Sequence, residues 1–375
     1  MPVKELHQIL KVNLGVRPNE RVLVFTDKPA PREPMGPGEA ERRERLRNIA
    51  RFAEETARGL AQEVLFLEYP SLMGHGKEPP EALWRLAFGE GAVDSLKKHG
   101  LLAKLRRKSA SAEEIYEAQR TINRFKRSGV EVVVALSNFS TSHTMFRNLL
   151  TGVCQSRYAS MPLFDMQMFA GPMRADYREI SRLSKAVAAE LKKSLAVHIT
   201  TPAGTDITFS TKGRKAEADT GLLTRPGAFG NLPAGEAYLA PLEGTAKGRL
   251  VIEWGPTEKL GTPLTVDVKD GMAEKVTGRD PYARVLRAKF DERRDNRNIA
   301  ELGVGTNPLA IRPDNILESE KMLGTVHIAF GDNASFGGSI KTPYHQDFVY
   351  FKPTVELEMK GGGLALLLED GKLLV

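Results

Sequence analysis

Residues 21–27 read RVLVFTD and residues 63–70 read EVLFLEYP, and the stretch that joins them decides the fold. Each run is short, apolar and rich in Val, Leu or Phe, the composition of a strand buried on both faces. Between them, GEAERRERLRNIARFAEETARGLAQ (38–62) sets Leu46, Ile49, Ala50 and Phe52 at helical spacing beneath an outer face of Arg and Glu. Parallel neighbours need a crossover of a dozen or more residues, so strand, amphipathic helix, strand is the unit of a parallel sheet. The pattern continues. SASAEEIYEAQRTINRFKRSG (109–129) predicts a helix closed by Gly129, VEVVVALS (130–137) a strand, and TSHTMFRNLL (141–150) a helix opened by a Thr or Ser cap. The expectation is an α/β domain with a doubly wound parallel sheet. No G-x-G-x-x-G turn follows the first strand, so a dinucleotide site is not expected.

The grammar changes after YREISRLSKAVAAELKKS (177–194), a long amphipathic helix that joins the halves. AVHITTPAGTDITFSTKG (196–213), PLTVDVKDGMAEKVTG (263–278) and LALLLEDGKLLV (364–375) each place a turn between alternating runs, two of them an Asp-Gly pair. One helix is expected near YARVLRAKFDERR (282–294). The division is an N-terminal α/β domain over residues 1–193 and a second β-rich (α+β) metal-binding domain over 194–375.

Chemistry concentrates in GTVHIAFGDNASFGGSIKTPYHQDFVYFKPTVEL (324–357), which holds two of the seven histidines. Along a strand, Val326, Ile328 and Phe330 take one face while Thr325, His327 and Ala329 take the other. His345 and Asp347 are two apart and leave one face together, an arrangement that serves a metal ion or a hydrogen-bonded pair. Glu301 in NIAELGVG (298–305) opposes Ala300, Leu302 and Val304, and a carboxylate on an apolar strand is costly to bury without a partner. Glu236 sits in FGNLPAGEAYLAP (229–241), read as a Gly/Pro-rich loop of the kind that positions functional side chains.

GNLPAGEAYLAP, NIAELGVGTNP, EKMLGTVHIAFGDN, HQD and KPTVEL resemble, in order, the motifs of the thermophilic metalloaminopeptidases of the aminopeptidase T type (peptidase family M29). The match covers most of residues 195–360, and the N-terminal half matches only loosely. The resemblance implies a cytoplasmic, dimeric, two-domain hydrolase that removes the N-terminal residue of short peptides. It implies five ligands, Glu236, Glu301, His327, His345 and Asp347, around two Zn²⁺, Co²⁺ or Mn²⁺ ions, with Glu301 and Glu236 also the candidate catalytic carboxylates. Two dications and three carboxylates leave positive charge that favours a bound hydroxide. One position departs: Ala334 stands where the family's peptidases carry a tyrosine that stabilises the transition state. Tyr238, Tyr344 and Tyr350 are nearby phenols, and alternation sends Tyr344 and Tyr350 to the face opposite His345.

A second reading uses the same residues. His327, His345 and Asp347 make a 2-His-1-carboxylate set, that of non-haem Fe(II) oxygenases, and a branch of the superfamily resembles ring-cleaving dihydroxypyridine dioxygenases. Glu236 and Glu301 would then orient the histidines or the substrate. A third reading is a non-catalytic basic scaffold for a polyanion. Asp332 reads as turn chemistry, Lys321 as solvated, and His7, His75, His99, His143 and His198 as structural or exposed.

The totals bound these readings. The 375 residues carry 54 Lys and Arg against 47 Asp and Glu, a formal +7. The basic runs ERRERLRNIARF and KFDERRDNR are interleaved with acids and lack an aromatic platform, so nucleic acid is not an expected partner. No segment offers about 20 consecutive apolar residues, so no membrane span is expected. The N-terminus lacks a signal-peptide core, and Cys154 alone forms no internal disulfide; both agree with the cytoplasm. The abundance of Arg, Lys and Glu fits a heat-adapted protein.

Overall fold

In the computed structural model, which describes residues 3–375 (of Val3 the backbone only), RVLVFTD and EVLFLEYP are parallel neighbours, with Arg21 opposite Glu63 and Lys28 opposite Pro70. Val132–Ala135 pairs on the other side of Arg21–Lys28, and Arg157–Ser160 and Phe229–Asn231 follow, all parallel. The sequence therefore winds outward in both directions from its first strand. Val22, Leu23, Val24 and Phe25 are fully buried, as a two-sided strand requires. The helix Glu39–Arg58 turns Leu46, Ile49, Ala50, Ala53 and Ala57 inward. Phe52 lies off that stripe and is half-buried. Ser111 caps the helix Ala112–Arg124 in a reciprocal box with Glu114. Trp84, Phe88, Phe146 and Tyr158 fill the layer between helices and sheet.

The chain forms two compact units. One runs to Arg174 and takes back Gly221–Leu232; the other holds Ala175–Thr220 and Pro233–Val375. The helix Tyr177–Lys193 belongs to the second unit, where Val187, Ala188 and Leu191 enter the core, whereas the sequence division at 193 left it with the first. The returning segment supplies the three-residue edge strand Phe229–Asn231, which lies at the start of the stretch 229–241 expected to be loop.

The second unit is antiparallel. An eight-stranded sheet and a five-stranded sheet contribute to one apolar core, with Val197, Ile199, Leu250 and Ile252 from the first and Leu302, Val304, Ile328, Phe330 and Phe348 from the second. Both Asp-Gly turns form as expected. Asp270 and Gly271 have φ +48° and +77°, and Asp370 and Gly371 have +45° and +79°. Positive φ at both positions matches the twist of a two-residue hairpin. The helix Tyr282–Glu292 buries Ala283, Leu286 and Phe290 against the same core. No helix among the described residues is long and apolar enough to cross a membrane.

The five-stranded sheet runs His345–Tyr350, Val326–Gly331, Ile299–Gly305, Glu236–Leu239, Glu217–Asp219. Its ladder slips by one residue at Ala300: Ile299 pairs with Phe330, and Glu301 already pairs with Ala329. This bulge lets Ile299 share the core with Leu302 and Val304, where alternation alone assigned Ala300.

Candidate metal centre

Register places every candidate ligand on one face of the five-stranded sheet. Glu301 lies opposite Ala329, which lies opposite Asp347. Gly303 lies between His327 and Tyr238, Gly305 opposite Glu236, and Gly331 opposite His345. Side chains opposite one another share a face, so this face carries Glu236, Tyr238, Glu301, His327, His345 and Asp347. Its floor is made of Gly303, Gly305, Ala329 and Gly331. The small residues are required: a Cβ on Gly303 would stand 2.0 Å from Cε1 and Nε2 of His327. The opposite face is Val326, Ile328, Phe330, Leu302, Val304 and Phe348, all core.

The polar side chains form an alternating chain of charge. Lys321 Nζ donates to Glu236 Oε1 at 2.6 Å; Glu236 Oε2 is 3.4 Å from His327 Nε2, and His327 Nε2 is 3.6 Å from Glu301 Oε1. Glu301 Oε2 is 3.4 Å from His345 Nε2, which is 3.4 Å from Asp347 Oδ1. Exposure is greatest at the far end, 26% for His345 and 14% for Asp347 against 0% for Lys321 and 1% for His327, so solvent reaches the centre at the His345 end.

His345 Nδ1 lies 2.7 Å from the Asp332 carbonyl oxygen. A carbonyl only accepts, so Nδ1 holds the hydrogen and Nε2 faces the two carboxylates. Burial pulls the His327 imidazole down, but the hydrogen bond to Glu301 and the charges of Glu236, Asp347 and Glu301 outweigh it and hold the group at about 9. His345 is raised well above its ordinary value, against burial, by Asp347 and Glu301. Burial opposes ionisation of Asp347 and Glu301 as well, yet the facing imidazoles hold both carboxyls below their usual range.

The donor set fits a cation. Glu301, His345 and Asp347 each offer one ligand atom, all within 4.8 Å of one another. Glu236 Oε2 and His327 Nδ1 are buried and have no hydrogen-bond partner among the described residues. Separations of 3.4–3.6 Å exceed a good N–H···O bond, while two ligands about 2.1 Å from one ion stand roughly 3.0–3.4 Å apart. The tightest trio has one imidazole and two carboxylates; His327 reaches it through Glu301.

Two sequence readings, of Lys321 and Glu236, need correction. Lys321, read as solvated, is buried and paired with Glu236 and, at 3.0 Å, with Glu320. Burial pushes the Glu320 carboxyl up to about 8, against the pull of Lys321. Glu236 begins a strand and is itself buried rather than looped out. His198 lies between Asp206 at 2.9 Å and Glu356 at 3.1 Å on neighbouring strands. Asp332 does turn chemistry: its carboxylate accepts from Thr342 N and its carbonyl from His345. Of the three phenols, Tyr350 is in the core, and Tyr238 shares the ligand face and donates to Glu217. Gly303 had a readable signal, a glycine inside an apolar strand two residues after Glu301.

The two-unit α/β architecture carrying this carboxylate–imidazole face is the aminopeptidase T-like fold. Wild-type AmpT from Thermus thermophilus superposes over 100% of this chain and 99% of its own, with TM-score 0.56 and 16% identity. The 2,5-dihydroxypyridine dioxygenase structure from Pseudomonas putida KT2440 does so over 100% and 97%, with TM-score 0.66 and 18% identity. Within that class, the profile of the 2,5-dihydroxypyridine 5,6-dioxygenase (NicX) family matches residues 172–362, half of the chain, and the chain belongs to that family. The curated 2,5-dihydroxypyridine 5,6-dioxygenase of Pseudomonas putida is 25% identical over 199 residues, 48% of this chain and 57% of that protein. The chain thus spans little more than half the length of the curated relative it matches.

This membership overturns the aminopeptidase reading and with it the hydrolase and protease class. Two features account for the correction. Ala334 offers no hydroxyl to a tetrahedral oxyanion. The Lys321 ammonium, paired with Glu236, already supplies one positive charge to the buried carboxylates.

Proposed function

We propose that the chain is a mononuclear Fe(II) dioxygenase that opens a dihydroxylated pyridine ring or a closely related ring, with Glu301, His345 and Asp347 holding the ion. The observation that supports it is the coincidence of the family match, residues 172–362, with a trio whose ligand atoms lie within 4.8 Å. Mixed imidazole and carboxylate donors suit iron, here with Glu301 where the usual facial triad has a second histidine. Charge favours one ion. With neutral imidazoles, Glu236, Glu301 and Asp347 against Lys321 leave two negative charges, which one dication neutralises.

Ferrous iron, when bound, supplies dioxygen activation and a seat for a ring hydroxyl oxygen. The chain's own groups do the rest. The Asp332 carbonyl fixes the His345 tautomer so that Nε2 faces the ion. Gly303 leaves room for the His327 imidazole beside Glu301, where it can hold or release a proton. Lys321 holds the Glu236 carboxylate in place. Rigid strands hold all of them.

Anaerobic loading with Fe(II) tests the reading. One iron per chain is expected, with oxygen consumed when 2,5-dihydroxypyridine is added. Stoichiometric iron with no oxygen uptake on dihydroxypyridines refutes it.

A further inference from the structure

Phe336 is an aromatic ring out of place. Phe290, Phe330, Phe348 and Tyr350 belong to the apolar core behind this sheet, and Phe336 does not. It is half-buried at the end of the short helical turn Ala334–Phe336. Its ring meets the His345 imidazole edge to face, centroids 6.0 Å apart at 88°, and the Tyr238 ring in the same way, 5.8 Å apart at 83°. His345 is the most exposed of the candidate ligands, so Phe336 stands at the mouth of the centre.

The segment that carries it is tightly determined. Asn333 Nδ2 donates to Glu243 Oε1 at 3.0 Å, and its Oδ1 accepts from Ile340 N at 2.9 Å. Ser339 N donates to the same Glu243 oxygen at 2.7 Å, and Arg214 bridges Glu243 and the Gly337 carbonyl. Gly338 lies so close that a Cβ there would stand 2.0 Å from the Asn333 side chain. Arg214 and Glu243, both far away in sequence, thus help hold one half-buried phenylalanine against a ligand.

We propose that Phe336, backed by Tyr238, is the wall against which the substrate's ring packs, and that it restricts the site to single-ring dihydroxylated aromatics. The proposal rests on the dioxygenase reading. A flat ring whose hydroxyl oxygen is at the His345 end lies beside Phe336, and rings prefer offset or edge-to-face contact at 4.5–7 Å. A fused second ring would meet the Phe336 side chain, which its anchored segment keeps from moving aside.

The test uses the full chain as wild type, Phe336→Ala and Phe336→Leu. Each is loaded with Zn²⁺, which has no redox chemistry, and titrated calorimetrically with 2,5-dihydroxypyridine and with a dihydroxyquinoline. With Fe(II)-loaded samples, oxygen uptake is measured on both compounds. Phe336→Ala is expected to bind the pyridine about 10-fold or more weakly, the usual scale for losing an apolar wall, and to gain the quinoline. Phe336→Leu keeps the exclusion with a smaller loss of affinity. Equal zinc content in all three shows that the segment and the ligands are intact. Unchanged pyridine affinity in Phe336→Ala, quinoline binding by wild type, or no pyridine binding by wild type overturns the proposal. Oxygen uptake by iron-loaded wild type reports separately on the dioxygenase reading.

Discussion

The two faces of the five-stranded sheet come from the same strands, and nearly everything about them differs. One face is Val326, Ile328, Phe330, Leu302, Val304 and Phe348, close-packed and dry. The other is glycine and alanine overlaid by three carboxylates, two imidazoles and, at its inner end, an ammonium. The apolar face gains stability from each residue it buries, about 1.5–3 kcal/mol for a large side chain. The charged face is held together only by mutual compensation, since each buried charge alone costs several kcal/mol. Stability and chemistry are therefore separable in this unit by residue parity.

That contrast can be broken at graded cost. Ile328→Asp places an unpaired charge in the core and is expected to abolish folding, read as loss of the cooperative thermal transition; a soluble variant that melts like wild type defeats the two-face account. Lys321→Met leaves Glu236 and Glu320 without their cation, and denaturant titration should show a loss of about 3–5 kcal/mol. Asp347→Ala and His345→Ala should leave a folded protein whose iron content, by elemental analysis, drops to background. Gly303→Ala pushes a methyl into the His327 ring; with the fold kept, iron affinity should fall about 10-fold or more, the scale for disturbing a residue that orients a ligand.

The smallest effect lies on the other sheet. His198 is raised from its ordinary value by its hydrogen bond to Asp206 and then by Glu356, with burial opposing. A raised histidine stabilises the fold below its unfolded pKa near 6.5 and loses that contribution as pH rises through its folded value. His198→Gln should lower the unfolding free energy slightly at pH 5.5 and not at pH 9, by less than about 1 kcal/mol, because these groups are solvent-screened. An equal loss at both values rules out the ion pairs as its cause.

Much of this was legible. Strand period put His345 and Asp347 on one face and set His327 and Glu301 opposite the apolar residues of their own strands, and helical period found the inward stripe of Glu39–Arg58. What escaped depends on long-range partners or on very short strands. Lys321 follows Glu318 and Glu320 in a turn, which reads as solvated surface; only the fold brings Glu236, 85 residues away, to its ammonium. Glu217–Asp219 and Phe229–Asn231 have three residues each, too few to show a period. The reaction class turned on Ala334. Five of the six positions compared with the peptidases match, and the sixth, a methyl where a phenol was needed, already pointed to the second reading.

Ala300 constrains the length of its strand. Because one surplus residue sits between Ile299 and Glu301, the strand must be counted differently on its two sides. Removing that alanine would turn either Ile299 outward or Glu301 inward, so a single-codon deletion there should harm the protein more than most substitutions. Kin that keep this chemistry are then expected to vary in which small residue fills the slot, and never in whether it is filled.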